Sequence, residues 1–190
     1  MLTAYGRRWQ VFGLDRRDSR SRLMRALKAL ERYPAAMKVL GQIRVRAPRE
    51  AVFNALQDAA FFASCIDGVH ELVEIDPAHY NAVLETRIAY MKFRFKLVIE
   101  LIRKEPPSVL EARVEGTPLG IVGRVTATSL TRLSQDVDET KIEYEIEAAL
   151  TGKLGSLGQP VLRSKAKEME KQFATRLCAA FEQTLSEPRS

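Results

Sequence analysis

Residues 147–173, EAALTGKLGSLGQPVLRSKAKEMEKQF, pass from an alternating segment through three glycines into a helical pattern. The glycines are Gly152, Gly155 and Gly158. Glycine adopts backbone angles that other residues avoid, so this stretch can turn the chain sharply. Two interpretations follow: a phosphate-binding loop, or a hinge that turns the chain from a sheet edge onto a helix.

The residues around Gly152 and Lys153 disfavour a phosphate loop. The Walker pattern needs a glycine five residues before its second glycine and a Ser or Thr after the lysine. Glu147 and Leu154 occupy these positions. A dinucleotide fingerprint fails too, because the glycine spacing differs and no parallel strand–helix–strand pattern surrounds it. The hinge is therefore the favoured interpretation.

The residues after the hinge predict one long amphipathic helix over 159–186. Apolar side chains recur at helical spacing, and most charged ones, Glu168 and Glu170 among them, are expected on the other side. Pro160 suits the first helical turn. Such a helix extends about 40 Å, enough to cross a sheet. The apolar stripe consists of Leu162, Ala166, Met169, Phe173, Leu177, Ala180 and Leu185.

Upstream of the hinge, apolar and polar residues alternate in short runs, which predicts an antiparallel sheet. In residues 92–102 and 141–150 the alternation leaves one apolar face and one charged face. We therefore expect the long helix to cover one side of the sheet. The predicted strands are 43–47, 69–75, 80–89, 92–102, 109–116, 119–133 and 141–150, with short helices opened by Pro48 and at 59–64.

The net charge of +6 is unevenly distributed along the 190 residues. Residues 1–46 contain twelve Lys and Arg against three Asp and Glu, a net charge of +9, which leaves −3 for the remainder. A mildly acidic body without zinc-finger, RRM or KH motifs does not resemble a nucleic-acid-binding domain. We expect a basic arm at 1–36, a domain at 37–186 and a tail at 187–190.

The basic arm contains an amphipathic helical pattern over 19–33. Three interpretations stay open: an arm that is docked or free, a helix at an anionic membrane, and a mis-assigned start, because Met37 opens a segment that looks like a natural N-terminus. The candidate membrane or partner contacts are Trp9, Arg22, Arg25, Lys28 and Arg32.

The remaining reactive residues predict no chemistry of their own. Cys65 and Cys178 form no CxxC pair and follow no secretory signal, which indicates a reduced, cytoplasmic compartment, with peripheral attachment at the inner membrane surface as an alternative. No apolar run reaches the roughly 20 residues that span a bilayer. His70 and His79 have no metal-ligand spacing. We expect no metal, no cofactor and no catalytic group of residues.

Four groups of residues carry a family resemblance. They are Ala47-Pro48 with 52–58, Cys65-Ile66-x-Gly68, Thr140-x-Ile142-x-Tyr144, and 152–158 with Met169 and Gln172-Phe173. In this order and spacing, the chain from Met37 to about Leu185 resembles the CoxG family of carbon monoxide dehydrogenase subunits, which are START-like (SRPBCC) domains. The resemblance implies the α+β helix-grip fold, in which a curved antiparallel sheet of about seven strands wraps a long C-terminal helix.

The resemblance also implies a function. It is that of a non-enzymatic accessory protein which binds a quinone- or lipid-type ligand and assists maturation or membrane coupling of a molybdenum hydroxylase such as aerobic carbon monoxide dehydrogenase. Two alternatives stay open, a small cyclase or hydrolase on the same fold and a pure protein-interaction role with a collapsed pocket. The candidate pocket residues are Leu84, Ile88, Phe93, Phe95, Leu97, Tyr144, Ile146, Met169 and Phe173.

Three positions depart from the family pattern. Asp67 stands where the family usually has a proline, Ala89-Tyr90 where it has Gly-Pro, and Leu97 where it has a glycine. These changes add bulk at a hairpin and along an inner strand, so we expect a pocket that is narrower or differently shaped than in relatives.

Overall fold

The computed structural model describes residues 36–186, with side chains described as far as Gln183. The predicted arm up to Ala35 and the tail at 187–190 lie outside the described residues, as do the arm's candidate contacts from Trp9 to Arg32. The division into arm, domain and tail therefore stays a prediction.

The described chain contains seven strands and three α-helices. Their bounds are β1 Met37–Val45, α1 Arg49–Gln57, α2 Ala59–Ser64, β2 Val69–Asp76, β3 His79–Ile88, β4 Met91–Glu105, β5 Val109–Pro118, β6 Gly123–Asp136, β7 Glu139–Gly152 and α3 Gln159–Ser186, with a 3₁₀ turn at Gly155–Leu157.

All seven strands form one antiparallel sheet in the order β1-β7-β6-β5-β4-β3-β2. Strands β2 to β7 follow one another as a meander, while β1 pairs with β7 and places Met37 opposite Ala148. Two residues of the family motifs help to hold β1 against β7: the buried Thr140 hydroxyl donates a 2.7 Å hydrogen bond to the Ala47 carbonyl. The predicted helix-grip fold is confirmed.

The predicted helix positions agree closely with the structure, while most strand boundaries differ by one to three residues. The two larger differences, and the position of Pro48, have local causes. Strand β1 begins at Met37 rather than at residue 43, because Met37, Val39 and Gly41 continue the inward alternation. Strand β6 begins at Gly123 rather than 119, since Gly120 has a positive φ that breaks the extended backbone. Pro48 immediately precedes α1 instead of lying within its first turn.

The turn between β7 and α3 contains all three glycines of the predicted hinge. Gly152 ends β7 with φ +65, and a Cβ there would overlap the Val122 carbonyl and lie 2.8 Å from Gly123 Cα. Gly155 opens the 3₁₀ turn, and Gly158 precedes α3. The chain passes from the sheet edge to α3 through this turn, and the role of the three glycines as the hinge stays a prediction.

Most of the buried apolar side chains form two separate clusters. The first joins β1, α1 and the C-terminal half of α3, and the second lies at the end with the glycine-rich turn. The first consists of Ile43, Val45, Ala47, Val52, Phe53, Leu56, Cys65, Leu110, Leu133, Ile142 and Leu177. The second consists of Ile88, Phe95, Leu150, Leu154 and Leu162.

Candidate ligand chamber

The sheet between the two clusters is lined on its inner face by small residues. Cross-strand pairing places Ala82 beside Leu97, Val114 beside Ala127, and Ala148 beside Ala127 on this face. Small side chains on an inner face leave space beneath a covering helix, since a helix rests on the larger side chains. The small inward residues are Ala82, Ala112, Gly116, Ala127, Ser129 and Ala148.

The larger inward side chains in the same region are only partly buried. Ile99, Val114 and Ile146 on the sheet and Met169 on α3 all keep some exposure and belong to neither cluster, whereas the inward residues of the clusters themselves, such as Phe95 and Ile142, are buried. Side chains that face a helix yet keep exposed surface indicate that the helix does not pack onto them. We call this space between the middle of the sheet and α3 the chamber.

The structure distributes the nine predicted pocket residues over the chamber and its two ends. Ile88 and Phe95 belong to the buried second cluster, and Leu84, Phe93 and Leu97 pack against it. Tyr144 and Phe173 pack against the first cluster. Ile146 and Met169 lie between them and are partly buried. Whether these side chains contact a ligand stays a prediction.

A polar pair connects the sheet to the helix beside the chamber. The Tyr144 hydroxyl on β7 donates a hydrogen bond to the Glu170 carboxylate on α3. The Tyr144 ring lies over Gly41 on β1, where a Cβ would overlap the ring and come within 2.7 Å of a Glu170 oxygen. Burial, and then the contact with Glu170, raises the pKa of Tyr144 well above its ordinary value of 10.

The expectation that Glu170 lies on the outer side of the helix is therefore wrong. Ala166, Glu170, Phe173 and Leu177 are separated by four, three and four residues, which places them on one helical face. The sequence contained this signal: a carboxylate within the apolar stripe, together with an inward-facing tyrosine on a strand. An amphipathic pattern assigns charged residues to solvent by default, and this default failed here.

A second group of contacts fastens the segment after α1 to α3. Arg176 donates to the Ser64 carbonyl at 3.3 Å and forms an ion pair with Asp67. The Phe62 and Phe173 rings lie 5.0 Å apart. Asp67 thus faces α3 and solvent. Of the three departures from the family pattern, Asp67 and the 90% exposed Tyr90 lie outside the chamber, and Leu97 faces inward.

The histidines and cysteines do not form a reactive cluster. His79 contacts Asp76 at 2.8 Å in the exposed β2–β3 turn, and His70 is exposed. Burial raises the pKa of the Cys65 and Cys178 thiols, which disfavours the reactive thiolate. Within residues 36–186, no three His, Cys, Asp or Glu side chains are arranged to hold a metal ion.

An open groove of about 530 Å³ runs along β1, β7, β6 and β5, lined mostly by outward side chains. Ala127 and Ala148 of the inner face also contribute to its lining. Its outward side chains include Glu115, Thr126, Glu147 and Ala149, and Lys38 at its rim forms a 3.3 Å ion pair with Glu147. Charged walls and exposure to water make this groove a poor site for an apolar ligand. The groove is still an alternative ligand site, and experiments on the chamber need a control variant in the groove.

None of the helices within residues 36–186 combines the length and apolar character needed to cross a bilayer.

Comparison with solved structures supports the fold. A conserved protein from Geobacillus kaustophilus is 26% identical with a TM-score of 0.72, covering 78% of this chain and 97% of that one. At lower identity, the fold is shared with a START superfamily protein from Mycobacterium smegmatis (12%, TM-score 0.59, 77% and 98% covered).

The Zhui aromatase/cyclase from Streptomyces sp. R1128 also has this fold, at 15% identity and a TM-score of 0.59, with 79% of this chain and 96% of that chain covered. No curated protein sequence matches significantly. The model of the CoxG family of carbon monoxide dehydrogenase subunits matches residues 41–181. That match includes β1 from Gly41, the chamber and most of α3. The chain therefore belongs to the CoxG family of carbon monoxide dehydrogenase subunits, on a START-like fold.

Proposed function

We propose that the chain is an accessory protein that holds a hydrophobic ligand of the quinone or lipid type in the chamber. We propose further that it serves the maturation or membrane coupling of a molybdenum hydroxylase such as aerobic carbon monoxide dehydrogenase. The observation that carries the ligand proposal is the band of partly exposed, inward apolar side chains between two buried clusters.

The free energy of an empty chamber supports a bound ligand. An apolar cavity of about 300 Å³ destabilises a protein by about 7 kcal/mol at about 24 cal/mol per Å³. That is comparable to the whole stability of a typical domain. Water is a poor filling, because a buried water needs two to four polar partners and Ser129 is the one polar side chain among the small inward residues. An apolar ligand removes this cost.

The Tyr144–Glu170 pair supplies the polar groups that would orient such a ligand. Pockets for small molecules combine apolar walls with a few placed polar groups. Both side chains are partly buried, and the pair lies where α3 comes close to β1. A ligand with an apolar tail along Ile146 and Met169 could therefore present a polar head to the pair.

An enzymatic role on the same fold is the alternative. The aromatase/cyclase neighbour shares the fold, and Tyr144 with Glu170 would be the groups available for proton transfer. The raised pKa of Tyr144 makes it a poor acid near neutral pH. Turnover of a hydrophobic substrate that is lost in the Tyr144→Phe variant would favour this alternative over the binding role.

The first experiment is native mass spectrometry of the protein purified from its own host, followed by organic extraction. We expect about one quinone or lipid per chain. Two neighbouring substitutions then locate it: Ser129→Leu fills the chamber, while Thr128→Leu places the same side chain in the outer groove. Ligand loss in Ser129→Leu alone supports the chamber. Loss in Thr128→Leu alone, or no ligand in the native protein, contradicts it.

A further inference from the structure

Three connections meet at the end of the sheet where α3 begins. They are the β3–β4 hairpin at Ala89-Tyr90, the β5–β6 loop at 119–122 and the β7–α3 turn at 153–158. Two backbone hydrogen bonds hold the β5–β6 loop: Lys153 N of the β7–α3 turn donates to the Val122 carbonyl at 3.2 Å, and Leu119 N donates to the Arg94 carbonyl of β4 at 2.8 Å. We call these three connections the tip.

The tip exposes large apolar side chains to water. Tyr90 is 90% exposed, Val122 84% and Leu119 43%. Their neighbours Ile121 and Leu157 pack against the second apolar cluster, which anchors the loops that present them. Apolar side chains held outward on anchored loops indicate a surface that meets another apolar phase.

The charges around the tip have one sign. Segments 86–93, 117–124 and 151–163 contain five basic residues and no Asp or Glu. Among the described residues, only Arg124 of these five forms an ion pair, a half-exposed contact of 3.5 Å with Glu115. The turns at the opposite end carry Asp76, Glu105, Asp136 and Asp138. The five basic residues are Arg87, Lys92, Arg124, Lys153 and Arg163.

We propose that the tip docks on an anionic lipid surface, with Tyr90, Leu119 and Val122 at the interface and the basic residues toward the head groups. Aromatic and aliphatic side chains beside Lys and Arg suit the membrane–water interface. A fluid lipid surface accommodates three separate loops, whereas a protein partner would need a shape matched to each of them. This proposal goes beyond ligand binding and does not depend on the basic arm.

A fluorescence experiment on the full chain separates the tip from the arm. The single tryptophan, Trp9, is replaced by phenylalanine, and one new tryptophan is introduced as Tyr90→Trp or, as the control, Val137→Trp. Val137 is 87% exposed at the opposite end of the sheet. With phosphatidylserine-containing vesicles that carry brominated lipid, we expect a blue shift and quenching at position 90 and neither at position 137.

A charge-reversal experiment tests the electrostatic part. The double variant Val122→Asp with Lys153→Glu should bind phosphatidylserine vesicles at least about tenfold more weakly in sedimentation, since each basic residue near an anionic surface contributes about fivefold. The matched control is Val137→Asp with Lys104→Glu, which makes the same change of charge at the opposite end of the sheet and should bind as the parent chain does. Pure phosphatidylcholine vesicles should bind weakly in every case.

Three results would overturn the proposal. The first is no binding of the parent chain to anionic vesicles. The second is vesicle binding with unchanged emission at position 90, which would assign the binding to another part of the chain. The third is equal binding of the tip variant and the control with Val137→Asp and Lys104→Glu; a protein partner would then be the occupant to seek.

Discussion

The Tyr144 hydroxyl donates its hydrogen bond to the Glu170 carboxylate, so this pair can offer only acceptor lone pairs to anything beside it. A ligand head that donates hydrogen bonds should therefore bind more tightly than one that accepts them. For a redox pair of ligands, the hydroquinone should bind about five- to tenfold more tightly than the quinone, the effect of one additional hydrogen bond.

Glu170→Gln tests this selectivity, because the amide brings donor hydrogens that the carboxylate lacks. The preference for hydroquinone should disappear or reverse in this variant. Glu168→Gln is the control, since Glu168 is exposed and contacts Lys165 instead. Affinities for a short-chain quinone and its hydroquinone, measured by titration under anaerobic conditions, decide the question. An unchanged ratio in Glu170→Gln would contradict the assignment.

The raised pKa of Tyr144 predicts how stability depends on alkaline pH. The folded protein holds this proton more tightly than the unfolded chain, whose tyrosine titrates near 10. The stabilisation is therefore complete below about pH 10 and is lost as pH rises toward the folded pKa. Between pH 8 and a pH above 10, the free energy of unfolding measured with denaturant should fall more steeply in the parent than in Tyr144→Phe. Equal falls in the two proteins would contradict this role of Tyr144.

Gly41→Ala should destabilise the protein by about 1–3 kcal/mol, because its Cβ would overlap the Tyr144 ring and crowd Glu170. The penalty should largely vanish when Tyr144→Ala removes that ring. Unfolding free energies of both single variants and the double variant form a double-mutant cycle that measures this coupling. Simple additivity would show that the strain arises elsewhere.

Leu177 is fully buried in the first cluster, and Leu40 on β1 is 65% exposed. Leu177→Ala should cost about 2–5 kcal/mol in unfolding free energy, because it leaves a cavity between α3 and the sheet. Leu40→Ala should change stability by about 0.5 kcal/mol or less. Similar effects of the two substitutions would contradict the placement of α3 on the sheet.

Local patterns were sufficient to predict most of the fold. Alternation in 92–102 and 141–150 identified β4 and β7 with their inner faces, and the stripe from Leu162 to Leu177 identified α3 with its bounds at 159 and 186. These features depend on side-chain periods of two and 3.6 residues, which every strand and helix repeats. The family resemblance over 37–185 then agreed with the match at 41–181.

The candidate site was less accessible from sequence because it depends on contacts between distant residues. Tyr144 and Glu170 lie 26 residues apart on different elements, and no local period links them. Likewise, the alternation assigned Phe95 and Ile146 to the same inner face without showing that Phe95 lies in a closed cluster and Ile146 beside open space. Packing density is a property of the assembled layers, so it appears only in the structure.

The pairing of β1 with β7 has a consequence for synthesis on the ribosome. Met37 pairs with Ala148, so β1 is made more than a hundred residues before its partner. At about 5–20 residues per second, the strand waits about 5–20 s without its hydrogen-bonding neighbour. Lys38, Arg44 and Arg46 alternate along and just after this strand, and such charges discourage pairing with other nascent chains. The outward cations of β1 thus reduce intermolecular strand pairing before β7 has been synthesised.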